Sequence, residues 1–151
     1  RKGERNVRIL GVDFGDVRTG YAVSDPTGFL AGGIGTEKAS GLREAVEITC
    51  RKAQENGAEK IVVGLPLNLN GSEGDRAERV RTFARMVEEK SGLPVEFCDE
   101  RRTTIMAAGY MRETGTFGKK RKASIDTLSA QIILQTYLDK QKSINAKNSE
   151  T

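Results

Sequence analysis

The stretch RILGVDFGDVRTGYAVS, residues 8–24, decides the fold of this chain. RILGVDF predicts a first strand, GDVRTG is rich in turn-forming residues, and Tyr21 to Ser24 form the returning strand of a hairpin. FLAGGIGTEKA, residues 29–39, predicts a third strand that glycine weakens and that lies at an edge of the sheet. The chain therefore begins with a meander of three antiparallel strands.

Helices and strands alternate downstream of the meander. Apolar residues recur at helical spacing from Leu42, and Asn56-Gly57 ends that helix. The β-branched run Ile61-Val62-Val63 is typical of a central strand that is covered on both faces. Apolar residues from Ala77 to Val87 mark an amphipathic helix that Ser91-Gly92 ends, and VEFCDE, residues 95–100, predicts the fifth strand.

Two further helices are expected near the end of the chain. Thr103 or Thr104 caps a helix that ends at Met111, and the basic loop TFGKKRKA comes next. Ser124 then caps a last helix that reaches about Asp139. The order of elements predicts an α/β fold in which a mixed five-stranded sheet, the meander plus two parallel strands, carries helices on both faces.

The length of 151 residues and the hydrophobic content of 36% suit one domain spanning residues 1–151. We expect the core to cover about residues 8–138 and the ends, 1–6 and 141–151, to be flexible. No apolar run approaches the roughly 20 residues of a membrane helix, and the N-terminal residues do not resemble a signal peptide. We therefore expect a cytoplasmic protein without membrane contact.

The composition restricts the chemistry. The chain contains 0 His residues, which excludes Ser-His and Cys-His nucleophilic catalysis and histidine-bound zinc. Cys50 and Cys98 lie far apart without metal-binding spacing, so we expect buried free thiols. The net charge of +4 is compatible with a polyanionic partner. Any catalysis must rest on carboxylates, on Lys or Tyr, or on a metal held by carboxylates.

Asp13 interrupts the first strand with an acid that folding must desolvate, which is costly unless the carboxylate meets a cation or good donors. Three interpretations remain open. The carboxylate is tied to a turn amide or to Arg18, it binds a metal, or it belongs to the phosphate-binding hairpin of an actin-like ATPase, since a DxGxxxxG pattern serves both of the last two functions.

Two further elements carry acids that we expect to approach Asp13. Asp99 and Glu100 end the fifth strand, at the strand end where α/β folds place their sites, and alternation does not tell which of them matters. Asp126 heads the inward, otherwise apolar stripe of the last helix. Three converging carboxylates require neutralisation by divalent cations, and oxygen ligands suit Mg²⁺ or Mn²⁺. Two such ions support phosphodiester cleavage without histidine.

Two segments are suited to a nucleic-acid substrate. GLPLNLNGSEGD, residues 64–75, joins a strand to a helix, and we expect its free backbone N–H groups to bind a phosphate. The four consecutive cations at residues 119–122 precede the helix of Asp126 and are placed to clamp a nucleic-acid backbone. Aromatic residues are few, so the chain offers no stacking platform.

Four motifs, GVDFGDVRTGYAVSD, VVGLPLNLNGSEGDRAERV, FCDERRTT and KKRKASIDTLSAQIILQTYL, resemble in order and spacing the YqgF (RuvX) family. The resemblance covers about residues 8–138. It implies an RNase H-like fold and either nuclease activity in maturation of the 5′ end of pre-16S rRNA or a Holliday-junction resolvase activity. It further implies that Asp13, Glu100 and Asp126 are the catalytic acids and hold Mg²⁺ or Mn²⁺.

The expected substrate-binding residues combine the family motifs with the two segments above. They are Arg18, Asn68, Asn70, Gly71, Gly74, Arg101, Lys119, Lys120, Arg121 and Lys122. The expected partners are structured RNA or junction DNA and ribosomal particles, and the chain is a monomer or a homodimer. Two other functions stay open at this point, a noncatalytic nucleic-acid or ribosome-binding module and an actin-like kinase or ATPase, although the latter pairs two such domains and this chain supplies one.

Overall fold

A computed structural model of the chain describes residues 7–101 and 119–149. Within these residues, five strands form one sheet in the order β3-β2-β1-β4-β5, and three long helices pack on it. The elements are β1 (Ile9–Asp13), β2 (Arg18–Ser24), β3 (Ala31–Lys38), α1 (Leu42–Glu55), β4 (Lys60–Leu65), α2 (Asp75–Ser91), β5 (Val95–Asp99) and α3 (Lys119–Ser149).

The sheet is mixed, as the sequence predicts. β1 and β2 pair antiparallel, as do β2 and β3, whereas β1–β4 and β4–β5 are parallel. The glycine-containing strand β3 lies at one edge, and β4 lies in the interior between β1 and β5. Because β1, β4 and β5 are parallel, their carboxyl ends lie at the same end of the sheet, which we call the carboxyl edge. Asp13 is the last residue of β1 at this carboxyl edge.

One face of the sheet packs on α1 and α2. The alternate residues Leu10 and Val12 of β1 and Ile61 and Val63 of β4 point to this side and are fully buried. Phe14, just after β1, stacks on Phe83 of α2 with ring centroids 4.2 Å apart. This face is therefore a conventional hydrophobic core of large side chains.

The other face packs on α3 alone among the described helices. Small or apolar residues of the strands, such as Ala22 and Val62, meet the inward stripe of α3, which includes Ala130 and Ile133. Gly11 of β1 brings the helix close, because a Cβ built there would lie 2.7 Å from Leu134 Cβ. α3 therefore lies unusually near the backbone of the central strands.

The last helix differs from its prediction at both ends. Residues 119–122 form the first turn of α3 rather than a loop before it, and the helix runs to Ser149 rather than to about Asp139. No glycine or proline occurs from residue 119 to 149, and the six Lys, three Ala, three Gln and three Leu of this segment favour helix. The predicted helix from Thr103 or Thr104 to Met111 lies outside the described residues.

Smaller features follow the sequence more closely. Gly92 adopts the left-handed conformation that ends α2, with φ of 74°. Cys98 is buried and Cys50 is half-buried, and the two do not form a disulfide bond. None of the helices in the described part of the chain combines the length and the apolar character needed to cross a membrane.

Candidate active site

Asp13 and Glu100 come together at the carboxyl edge of the sheet, although strand β4 lies between the two strands that they end or follow. Asp13 ends β1, and Glu100 directly follows β5 as the first residue of a helical turn rather than as the last residue of the strand. The two carboxyl groups share a hydrogen bond, which requires one of them to carry a proton. A close pair of half-buried acids is therefore the centre of this site.

Gly64 of β4 explains how Glu100 reaches Asp13. β4 lies between β5 and β1, and a Cβ built on Gly64 would stand 2.7 Å from Glu100 Oε2 and 2.5 Å from Ile133 Cδ1. Any side chain at this position would occupy the path of the Glu100 carboxylate. The glycine within an otherwise bulky strand thus provides the space in which the two acids meet.

Asp126 approaches the pair because α3 rests on Gly20. Gly20 is the residue of β2 that pairs with Asp13, and a Cβ built on it would overlap the backbone carbonyl of Asp126. The Thr127 hydroxyl forms a hydrogen bond of 2.7 Å with the Thr36 hydroxyl of β3, and Gln131 Nε2 donates to the Ala31 carbonyl. These contacts hold the helix over β2 and β3 and bring Asp126 within electrostatic reach of Asp13.

Burial raises the pKa values of all three acids, and repulsion from the other two acids adds to this effect at Asp13. Burial raises the pKa of Asp13 to about 8, with further contributions from the charges of Glu100 and Asp126 and from the shared hydrogen bond. Burial also raises the pKa of Glu100 and that of Asp126. The site therefore concentrates more negative charge than it can stabilise by itself, which is the electrostatic setting of a cation-binding or acid-base site.

Two arginines partly offset these increases in pKa. The charge of Arg76, in the first turn of α2, lowers the pKa values of Asp13 and Glu100, although burial outweighs it. Arg18 of β2 acts in the same way on Asp126 rather than on Asp13. The sequence interpretation included Arg18 but not Arg76, because nothing in helical periodicity indicates which exposed cation faces a site formed by other elements.

Asp99 and Glu100 have different partners. Asp99 forms an ion pair with Arg101, with 2.6 Å between Asp99 Oδ2 and an Arg101 guanidinium nitrogen, and it also accepts the Arg101 backbone N–H. Glu100 instead turns toward Asp13. Alternation along the strand did not tell which of the two acids faces the site. In the structure Glu100 pairs with Asp13, whereas Asp99 pairs with Arg101.

The loop between β4 and α2 is tightly folded on itself. The Gly71 N–H donates to the Asn68 carbonyl, the Asn68 N–H donates to the Ser72 carbonyl, and the Ser72 N–H donates to Asn70 Oδ1. These three amides are therefore not free to bind a phosphate, which differs from the expectation. Gly71 adopts a φ of 88°, and Gly74 is the N-terminal capping residue of α2. The Arg101 guanidinium donates to the Leu69 carbonyl over 3.1 Å.

The basic residues 119–122 begin the same helix that carries Asp126, about one to two turns upstream of it. The helix therefore fixes the distance along its axis between residues 119–122 and Asp126. The structure thus brings Asp13, Glu100, Asp126, Arg18 and Arg76 toward one edge, and it ties Arg101 to the adjoining loop.

The donor set suits a hard divalent cation, because all three acids supply carboxylate oxygens and burial raises the pKa of each of them. Over residues 7–101 and 119–149, however, no group of three or more Asp, Glu, Cys or His side chains has the arrangement needed to hold one ion. Asp13 and Glu100 are hydrogen-bonded to each other, and such a pair must give up its proton and open for both groups to become metal ligands.

Comparison with known proteins gives one family. Residues 7–140 match the family described as "RuvX: Holliday junction resolvase". A protein of Leuconostoc citreum is 45% identical over 88% of this chain and 95% of its own length, and one of Moorella thermoacetica is 42% identical over 89% and 96%. Both carry the name "Putative pre-16S rRNA nuclease".

Solved structures show the same fold. RuvC of T. thermophilus in complex with a Holliday junction substrate is similar with a TM-score of 0.60, at 12% identity over 91% of this chain and 97% of that chain. The Fowlpox virus resolvase in complex with Holliday junction DNA has a TM-score of 0.58, at 13% identity over 89% and 99%. This similarity confirms the RNase H-like fold that the sequence motifs imply.

Proposed function

The chain belongs to the RuvX family, and from this membership we propose that it is a metal-dependent nuclease that hydrolyses phosphodiester bonds in structured nucleic acid. The observation that carries the proposal is the meeting of Asp13 and Glu100 at the carboxyl edge of the sheet, with Asp126 held above Asp13 by the contact of α3 with Gly20. Folding must desolvate carboxylates that it brings together at such an edge, which lowers the stability of the fold. Groups whose pKa values are shifted in this way are concentrated at functional sites.

The proposed roles follow from the positions of the side chains. Asp13, Glu100 and Asp126 hold Mg²⁺ or Mn²⁺, which when bound supplies an activated water and charge stabilisation at the scissile phosphate. Arg18 and Arg76, the cations that already act on these acids, are placed to contact phosphate oxygens of the substrate. Lys119, Lys120, Arg121 and Lys122, at the start of α3, contribute positive charge along the nucleic-acid backbone.

We propose pre-16S rRNA as the substrate, because the relatives at 45% and 42% identity carry a name that refers to it. The function would then be maturation of the 5′ end of that RNA, in contact with ribosomal particles and in the cytoplasm. The alternative is a four-way DNA junction, which the description of the family favours. Cutting both strands of a junction calls for two sites related by symmetry, and thus for a homodimer.

The test is a cleavage assay on matched precursor-rRNA and four-way-junction substrates, with and without Mg²⁺ or Mn²⁺. Replacing one acid of such a site removes most of its activity, so we expect Asp13→Asn, Glu100→Gln and Asp126→Asn each to lower the rate by at least about a hundredfold. Asp16→Asn is the matched control, since Asp16 is an exposed acid at the same edge that pairs with Arg79.

The result also separates the proposal from a noncatalytic module. If the three variants and the chelated protein bind RNA as tightly as wild type and no form cleaves either substrate, the chain is a binding module. If Asp13→Asn cleaves as fast as wild type in the presence of metal, the carboxylate mechanism is wrong.

A further inference from the structure

Leu69 projects from the loop between β4 and α2, residues 66–74, which we call the site loop. Its exposed fraction is 94%, the largest among the exposed large hydrophobic residues of the described chain. The neighbouring leucine behaves differently, because Leu67 is partly buried against the core below α1 and α2. Two leucines two positions apart thus have opposite environments, and the site loop presents one of them entirely to solvent.

The exposure of Leu69 is built into the conformation of the loop. The Asn68 carbonyl accepts the Gly71 N–H at 2.8 Å, and Asn70 Oδ1 accepts both the N–H and the hydroxyl of Ser72, at 3.0 and 2.6 Å. The Asn68 side-chain amide donates to the Ser72 hydroxyl at 2.9 Å. These bonds close the turn around Leu69, so its side chain is presented by an ordered backbone, and binding through it requires little additional ordering.

The loop is also fastened to the site. Arg101 donates from its guanidinium to the Leu69 carbonyl at 3.1 Å and is itself held by Asp99 at the end of β5. Glu100, the partner of Asp13, stands between those two residues in the chain. The Leu69 carbonyl is therefore hydrogen-bonded directly to Arg101, the residue that follows Glu100.

The side chains around Leu69 indicate which kind of ligand it contacts. The flanking residues Asn68, Asn70 and Ser72 are polar, so Leu69 is a single apolar side chain and not part of the contiguous apolar patch that protein docking uses. The amides of Asn68, Gly71 and Ser72 are engaged within the loop. The Leu69 side chain is an apolar group beside the proposed site for nucleic acid, and leucine is among the apolar side chains that insert between base steps.

We propose that Leu69 packs against a nucleobase of the bound nucleic acid next to the cleavage site and displaces that base from its stack. This inference rests on the proposed function, since it requires a nucleic acid at the acids. The site loop then contacts a base of the substrate rather than its phosphate backbone, and Leu69 is a residue that positions the substrate.

The test uses full-length Asp13→Asn protein, so that binding is measured without cleavage. The probes are an RNA duplex with a single-stranded extension and a four-way DNA junction, each with 2-aminopurine at the branch, whose fluorescence rises when the base is unstacked. We expect binding to raise the fluorescence of the preferred probe. Adding Leu69→Ala should abolish most of this rise and weaken binding by about tenfold, as expected for loss of about half a leucine's burial energy.

The control and the salt dependence separate a base contact from other roles. Leu30→Ala removes another exposed leucine, 63% exposed, at the opposite end of the sheet, and it should leave both signals unchanged. Because no phosphate contact is lost, the slope of affinity against salt should be the same with and without Leu69→Ala. Leu69→Met, which keeps an apolar side chain of similar volume, should retain the rise in fluorescence.

Two outcomes oppose the inference and differ from each other. If the protein binds a probe but Leu69→Ala retains the full fluorescence rise and an affinity within about twofold, which is too small a change for a lost apolar contact, the base contact is absent while the proposed function stands. If Asp13→Asn protein binds neither probe, the proposed function fails and the inference fails with it.

Discussion

The two faces of the sheet use the same strands for opposite purposes. On the α1 and α2 side, β1 and β4 present Leu10, Val12, Ile61 and Val63, all of them fully buried. On the α3 side, the alternate positions of these two strands include Gly11, Asp13 and Gly64. One face therefore fills its space with apolar side chains, whereas the other leaves space for a helix backbone and for carboxylates.

The difference shows how a small domain accommodates a costly site. Glycines on the α3 side contribute no side-chain burial, and the acids there are desolvated, so both features reduce stability. The large side chains on the other face supply the burial that offsets this cost. Substitutions on the two faces should therefore have different effects on stability and on activity.

The largest loss of stability is expected for Phe83→Ala on the α1 and α2 side. Phe83 is fully buried and stacks on Phe14, and truncation of such a residue lowers the free energy of unfolding by about 3–5 kcal/mol. Because the acids lie on the other face, the cleavage rate per folded molecule should stay near that of wild type. Chemical denaturation and a cleavage assay at low temperature measure the two quantities, and a parallel loss of both would contradict the separation of the faces.

A smaller loss of stability but a larger loss of activity is expected for Gly20→Ala. The added methyl group overlaps the Asp126 carbonyl, so α3 must move away from β2 at a cost of about 1–3 kcal/mol. A displacement of about 1 Å at a catalytic group lowers a rate by roughly a hundredfold. The matched control is Gly32→Ala on β3, where a Cβ meets no atom closer than 4.0 Å and both quantities should be retained. Equal effects of the two variants would show that the contact at Gly20 does not position Asp126.

Much of this arrangement could be predicted from the sequence, because local patterns determine it. The turn residues after Phe14 predict the hairpin, the run from Ile61 to Val63 predicts an interior strand, and the apolar stripe after Asp126 predicts the helix that covers the site. The limits of α3 could not be predicted in this way, since a basic run such as residues 119–122 is compatible with both a solvated loop and a first helical turn.

The sequence indicates the acids of the candidate site but not the contacts that position them. Buried acids are conspicuous in an apolar pattern, whereas the need for glycine at Gly20 and Gly64 arises only when α3 and Glu100 approach from distant parts of the chain. Arg76 was missed for the same reason. The internal hydrogen bonds of the site loop depend on the particular turn formed around Leu69, and this turn left fewer free amides than its composition suggested.

The central claim is that Asp13 and Glu100 form a repulsive pair that a divalent cation relieves. The most direct test is the free energy of unfolding of wild type and Asp13→Asn as a function of pH, with and without Mg²⁺. The pKa of Asp13 rises from 3.8 in the reference state to about 8 on folding, so the folded protein holds this proton more tightly. Wild type should therefore lose stability as the pH rises from about 4 to about 8.

Without Mg²⁺, the free energy of unfolding of Asp13→Asn should not show this part of the decline with rising pH. The variant should therefore be more stable than wild type near pH 8 but not near pH 4. Mg²⁺ should then stabilise wild type at the higher pH and have much less effect on Asp13→Asn. Asp16→Asn, the exposed acid at the same edge, should follow wild type throughout. Parallel pH curves for wild type and Asp13→Asn, with equal responses to Mg²⁺, would contradict the account.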